Sequence, residues 1–235
     1  MISALANPLR FMRISEFLLP FVVILAVITL TFGLTWGFVF SPEDAVQGKS
    51  VKIMYVHVPA AIWSMSIYGF MATASLVSIV WRHVLADVAA RSAAPIGACY
   101  AGLCLITGSL WGAPTWGTFW VWDARLTSML VLFLTYLGYL ALWSAIEDEV
   151  KAARLAAILC LAGAINLPIV HYSVEWWSTL HQPSSLLSGS VYPTMLRPLL
   201  TCIAGYGLAF AALVLAGMRA EIFRRRALAP VRARA

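Results

Sequence analysis

The stretch FLLPFVVILAVITLTFGLTWGFVFS, residues 17–41, contains no Asp, Glu, Lys or Arg. A helix rises about 1.5 Å per residue, so a run of this length crosses a hydrocarbon core of roughly 30 Å. Lipid offers no partners to backbone N–H and C=O groups, and a segment immersed in it must satisfy them internally as a helix. The same charge-free pattern recurs over residues 53–81, 92–122, 126–146, 155–174 and 198–218. None of these runs shows the short alternating segments of a membrane barrel. The fold class that follows is all-α. A single membrane domain fills 1–235, with six spans near 17–38, 59–81, 93–112, 126–146, 153–172 and 197–218, and 219–235 forms a basic tail.

Composition agrees. The 235 residues are 62% hydrophobic and 11% charged, with mean hydropathy +0.86, whereas a soluble domain carries about 25% charged residues. Arg10 and Arg13 precede the first run and no small-residue cleavage site follows it, so it reads as an uncleaved first span. Lys and Arg in short loops set orientation. Twelve of the sixteen fall on the side of the termini: Arg10, Arg13, Arg82, Arg91, Lys151, Arg154, Arg219, Arg224, Arg225, Arg226, Arg232 and Arg234. Lys49, Lys52, Arg125 and Arg197 fall opposite. Both termini are therefore expected in the cytoplasm. The basic tail suits anionic lipid headgroups rather than nucleic acid. The four cysteines (Cys99, Cys104, Cys160 and Cys202) all lie in apolar runs and read as reduced, buried thiols.

The chemically rich loops are the outer ones, where function tends to sit. The second holds WGAPTWGTFWVWDARLTS, residues 111–128, with Trp111, Trp116, Trp120 and Trp122 followed by Asp123 and Arg125. Gly112, Pro114 and Gly117 place the end of span three near Trp111. Beyond it Trp116, Trp120, Asp123 and Thr127 share one face at helical spacing. That spacing predicts a short amphipathic helix along the membrane surface. An interfacial aromatic belt accounts for Trp36, Trp63, Trp81 and Trp143 but poorly for four indoles in one loop. The alternative is a platform for a flat, polarisable ligand, with Arg125 pairing a ligand carboxylate. A large planar molecule with carboxylates on one edge, such as haem, meets that description.

Haem also needs axial ligands. His57 stands just before Pro59, where span two is expected to start, and the helix dipole there favours a neutral imidazole. His181 lies in the third outer loop, downstream of Trp176 and Trp177. It ranks above His171, which lies near a helix end, because the longer loop lets it reach the platform. Glu175 is the remaining acidic residue of that loop. Arg197 is either a propionate anchor or a snorkelling helix-end residue. His83, beside Arg82, reads as a solvated side chain at an inner helix end.

The run WGTFWVWDARLT, residues 116–127, resembles the signature of the WWD superfamily of haem-handling proteins. With KIMYVHVPAAIWSM at 52–65 and WWSTLHQPSS at 176–185, the chain looks like a member of the CcmC family of haem exporters. The resemblance implies that His57 and His181 are axial ligands of a transiently held haem b beside the WWD segment. It implies delivery of that haem to the periplasmic chaperone CcmE for c-type cytochrome biogenesis. The implied partners are the ABC transporter subunits CcmA and CcmB and the small membrane protein CcmD, in a bacterial inner membrane. No C-x-x-C-H, Walker or hydrolase motif occurs, so a transfer protein rather than an enzyme is expected. Two other classes compete. A permease needs ionisable residues or broken helices at the midplane, for which Asn166 and Pro168 are the best candidates. A quinone- or haem-dependent redox enzyme usually needs intramembrane histidine pairs, and here the histidines lie at helix ends.

Overall fold

A computed structural model describes residues 7–181, 186 and 189–232, with side chains to 227. Residues 182–185 of the third-loop motif and Arg234 of the tail lie outside it. The elements are α1 (Pro8–Thr35), α2 (Met54–Trp81), α3 (Val84–Trp116), α4 (Ala124–Ala145), α5 (Glu149–Gly163), α6 (Asn166–Trp176) and α7 (Pro193–Arg232). A π-turn (Trp36–Phe40) ends α1, and a 3-10 turn (Lys49–Ile53) leads into α2. Among the described residues six segments are long and apolar enough to cross a membrane, α5 and α6 together making the fifth. The chain is a multi-pass membrane protein.

Short polar side chains start the helices by taking up orphan N–H groups. Asn7 accepts from Leu9 N at 2.9 Å, with Pro8 in the first turn, and Asp148 accepts from Val150 N at 2.8 Å. His83 is not the solvated side chain expected: its Nδ1 caps α3 through Ala86 N at 3.2 Å. Three boundaries also differ from expectation. Helix α2 begins at Met54 and carries Pro59 inside it. Helix α3 runs through Gly112 and Pro114 and stops at Gly117, whose φ of 76° is the left-handed cap that glycine tolerates. Residues 117–123 form no helix, so the expected surface helix is absent.

Helix α3 is the spine, packing against α2, α4 and α7. Its buried face is built from Ala89, Ala90, Ala93, Ala94, Ala98 and Ala101, small enough for backbones to approach closely. The space between is filled by fully buried Tyr68, Tyr136, Tyr139, Ile67 and Met71. Tyrosine hydroxyls there find backbone carbonyls, Tyr136 on Ser64 at 2.7 Å and Tyr100 on Tyr206 at 3.1 Å. Trp63 belongs to this packing rather than to a belt, donating to Ile203 O at 2.7 Å. Cysteines 104, 160 and 202 are buried, but Cys99 is exposed, against expectation. Helix α1 lies antiparallel to α7, Arg219 donating to Met12 O at 2.7 Å near one end and Gly33 meeting Cys202 near the other.

The two ends of the bundle differ. At the basic end Glu221 on α7 accepts from Arg91 (3.0 Å), Arg224 (2.7 Å) and Arg225 (2.7 Å). Arg224 also reaches Glu149, and Arg225 reaches Asp87, both at 2.7 Å. Arg91 lies 4.2 Å over the ring of Trp143. The first residues of the tail are thus a helical continuation tied to α3 and α5. The Trp-rich residues gather at the opposite end.

Candidate functional site

His57 sits in the first turn of α2 rather than in a loop, partly buried against α3. Its Nδ1 lies 3.1 Å from Cys104 O and 3.2 Å from Thr107 Oγ1. A carbonyl only accepts, so Nδ1 carries the proton. The Thr107 hydroxyl donates to Leu103 O at 2.7 Å, which leaves its lone pairs to receive the same N–H. With the proton held on Nδ1, the neutral form of the ring keeps its free lone pair on Nε2. This is the pattern of metal-ligating histidines, whose second nitrogen donates to a carbonyl that fixes tautomer and orientation. Gly108 makes room for it: a Cβ added there would lie 2.9 Å from His57 Cε1.

Trp111, on α3, meets the imidazole edge-on, with centroids 5.7 Å apart and planes at 81°. Its indole N–H donates to Gln47 Oε1 at 2.7 Å. One turn later Trp116 folds back over its own helix, where a Cβ on Gly112 would come within 2.9 Å of the indole Cε3. The His181 ring packs against Trp116 at 6.0 Å between centroids. Two ring pairs, His57 with Trp111 and Trp116 with His181, thus stand about one turn apart along α3, and His181 and Arg125 both lie within electrostatic reach of His57.

Past Gly117 the chain crosses to α4 as an irregular strap. Thr118 Oγ1 donates to Trp120 O at 3.1 Å, and Trp120 and Trp122 meet edge-to-face at 5.5 Å. Together these two indoles roof a shallow apolar groove of 390 Å³, floored by Leu105, Ile106, Ser109 and Leu130. Asp123 does not share a helical face with Trp116 and Trp120. It caps α4, Oδ1 accepting from Leu126 N at 2.8 Å. Arg125, two residues on, donates to His171 O on α6 at 3.4 Å, with Asp123 and Glu175 close enough to act on its charge.

Three polar atoms here are buried without a hydrogen bond among the described residues: Trp120 Nε1, Asp123 Oδ2 and Arg125 Nε. Buried polar groups are normally satisfied. Two unspent donors at the same end of the bundle as the His57 imidazole, Arg125 within its electrostatic reach, suit a ligand that carries both a metal and carboxylates, as haem does.

The remaining candidates stand apart. Trp176 stacks on Tyr172 at 5.4 Å and meets Trp177 at 5.7 Å. No ring contact joins them to Trp116, Trp120 or Trp122 among the described residues. Arg197 is exposed in the first turn of α7. The sequence reading missed Cys104, Thr107, Gly108 and Gln47. The polar T-G-S at 107–109 inside an apolar run signalled the α3 residues, and nothing local marked Gln47.

The CcmC family, described as "Heme exporter protein C", matches residues 1–233. A heme exporter protein C from Bradyrhizobium diazoefficiens is 54% identical over 225 residues, covering 94% of this chain and 85% of its own. The Escherichia coli K12 protein of that name is 51% identical over 215 residues, 92% of this chain and 88% of its own. The one from Haemophilus influenzae is 46% identical over 228 residues, 96% and 93% respectively.

Proposed function

The chain belongs to the heme exporter protein C family, and from that premise we propose that it holds haem at the Trp-rich end between His57 and His181 and hands it on for c-type cytochrome assembly. The observation that carries this reading is the hydrogen bond from His57 Nδ1 to Cys104 O, which presents Nε2 as an unprotonated donor to iron. Haem is the cargo, and this chain's residues grip it reversibly. Trp116 and the Trp120–Trp122 pair offer apolar aromatic area, each stacking partner contributing about 0.5–1.5 kcal/mol beyond burial. Trp120 Nε1 and Arg125 Nε donate to propionates, and Asp123 holds the start of α4 so that Arg125 points there. Arg197, Trp176 and Trp177 border the cargo on the side of the receiving protein.

The haem is haem b with two imidazole ligands. Its acceptor is the chaperone CcmE, and CcmA, CcmB and CcmD are the membrane partners. Both termini face the cytoplasm of a bacterial inner membrane, the end that concentrates arginine. The chain acts as a transfer protein and not as an enzyme. The fifth span is broken between α5 and α6, as a permease could require, but two observations disfavour that reading: the bundle centre is filled by buried tyrosines, and Asn166, at the break, is spent on Ser128 O at 2.8 Å.

The test is haem retention and transfer by the full chain purified in detergent. Trp116→Ala and Trp120→Ala are expected to lower retention by up to about tenfold, with the protein accumulating normally in membranes. His57→Ala and His181→Ala are expected to abolish loading of CcmE. Normal loading by both histidine variants would overturn the ligand assignment. Failure of the Trp variants to accumulate would favour a purely structural aromatic belt.

A further inference from the structure

We propose that Gln47 is a positioning residue for the haem site, acting through Trp111 on His57; this rests on the reading of His57 as an iron ligand. Gln47 lies in the first outer loop and Trp111 on α3, 64 positions apart, yet its Oε1 accepts the indole N–H at 2.7 Å. That bond sets the rotation of the indole, whose plane meets that of the imidazole at 81°. The His57 ring is thereby confined twice. Cys104 O and Thr107 Oγ1 hold Nδ1, and Trp111 stands against the ring itself. Tilting the imidazole requires moving the indole, and moving the indole breaks the bond to Gln47.

Gln47 is itself built in place. Asp44 Oδ1 accepts from Val46 N and Gln47 N, each at 2.8 Å. Asp44 and Gly48 exchange backbone hydrogen bonds at 3.3 and 2.9 Å. Gly48 takes φ 58° and ψ −134°, a region that disfavours any residue with a Cβ. The Gln47 carbonyl accepts from Ser50 Oγ at 2.8 Å, just ahead of α2. The turn is thus closed on its own backbone and offers one side-chain amide to the site. A surface loop needs none of this merely to connect α1 to α2. Without the acceptor, the Trp111 N–H is left partly buried and unpaired, and the indole turns to find water.

The experiment is a titration of the full chain in detergent with ferric haem, read by affinity and by the share of low-spin, two-imidazole absorption. Gln47→Leu removes the acceptor and is expected to weaken binding about fivefold, the loss of one neutral hydrogen bond, with part of the haem shifting to high spin. Gln47→Asn keeps the polarity but withdraws the oxygen by one methylene, and it is expected to behave like Gln47→Leu. Gln47→Glu restores an acceptor oxygen and should recover both readouts. Trp111→Phe should match Gln47→Leu, and the double variant should lose no more than either single one. Wild-type affinity and spin state in Gln47→Leu and Gln47→Asn would overturn the proposal, as would a loss of thermal stability alone. His57→Ala, run alongside, separates the two ideas: if it keeps low-spin haem at full affinity, the ligand reading itself fails.

Discussion

A histidine is oriented for a metal by what holds its other nitrogen, and for His57, the proposed ligand, that is a carbonyl on a neighbouring helix. Cys104 O at 3.1 Å fixes the proton on Nδ1, and Gly108 admits the ring. Gly108→Ala places a methyl 2.9 Å from Cε1, and the ring must give way. Haem affinity is then expected to fall by at least tenfold, the scale set by losing a ligand's orienting partner, while the melting temperature stays near wild type. Titration with ferric haem checks this, and an unchanged affinity would show that the ring is not held here. His57 itself was legible in the sequence as an imidazole beside a helix start. Its tautomer was not, because every residue in a helix has a carbonyl and no letter marks the one that is used. Asp123 was legible as important but misassigned. Periodicity grouped it with the indoles, whereas a carboxylate just before an apolar run is also a helix cap, and Gly117 breaks the periodicity first.

At the scale of elements, charge-free length revealed six spans, because lipid penalises charge in the hydrocarbon core. It did not reveal their ends. Helix α1 starts at Pro8 and α3 persists to Trp116, since a helix extends past the hydrocarbon wherever nothing local stops it. Nor did it reveal the break between α5 and α6, where Asn166 Nδ2 donates to Ser128 O at 2.8 Å. Asn166→Leu leaves that tie unmade and is expected to cost about 1 kcal/mol, seen as a lower melting temperature in detergent; no shift would show the break to be held by packing alone. The loop before α2 has a pH signature. Backbone N–H groups of Gln47 and Val46 lower the Asp44 pKa from the ordinary 3.8. The carboxylate's contribution is therefore complete above the ordinary value and disappears as pH falls through the lowered one. Haem affinity through this turn is expected to be flat between pH 5 and 8, set here as about the working range of such assays. Asp44→Ala should weaken haem binding equally across that range, while Asp44→Asn, which keeps an acceptor oxygen, should not. An affinity that titrates between pH 5 and 8 in the wild type but not in Asp44→Ala would contradict this.

For the whole molecule, the bundle is stapled by ion pairs at one end and carries its Trp-rich residues at the other. Glu221 takes three guanidinium groups from Arg91, Arg224 and Arg225, joining α3 and α7, and Arg224 extends the cluster to α5. Removing the buried carboxylate leaves its three partly exposed arginines uncompensated. Glu221→Gln is expected to lower thermal stability by about 3 kcal/mol while the spectrum of bound haem is unaltered; a changed spectrum would mean that the two ends are coupled. Arg224 and Arg225 were legible as part of a basic tail and Arg91 as an inner-loop charge, but their pairing across three helices depends on the packing of α3 and α7, which no local pattern encodes.

On the proposed reading His57 Nε2 and His181 together grip haem iron. The most direct measurement is the absorption spectrum of the His57→Ala chain loaded with ferric haem, before and after adding free imidazole. The vacated ligand position should give high-spin haem that returns to the low-spin, two-imidazole form when imidazole enters. A His57→Ala protein that is low-spin from the outset, or that imidazole leaves unchanged, would contradict the account.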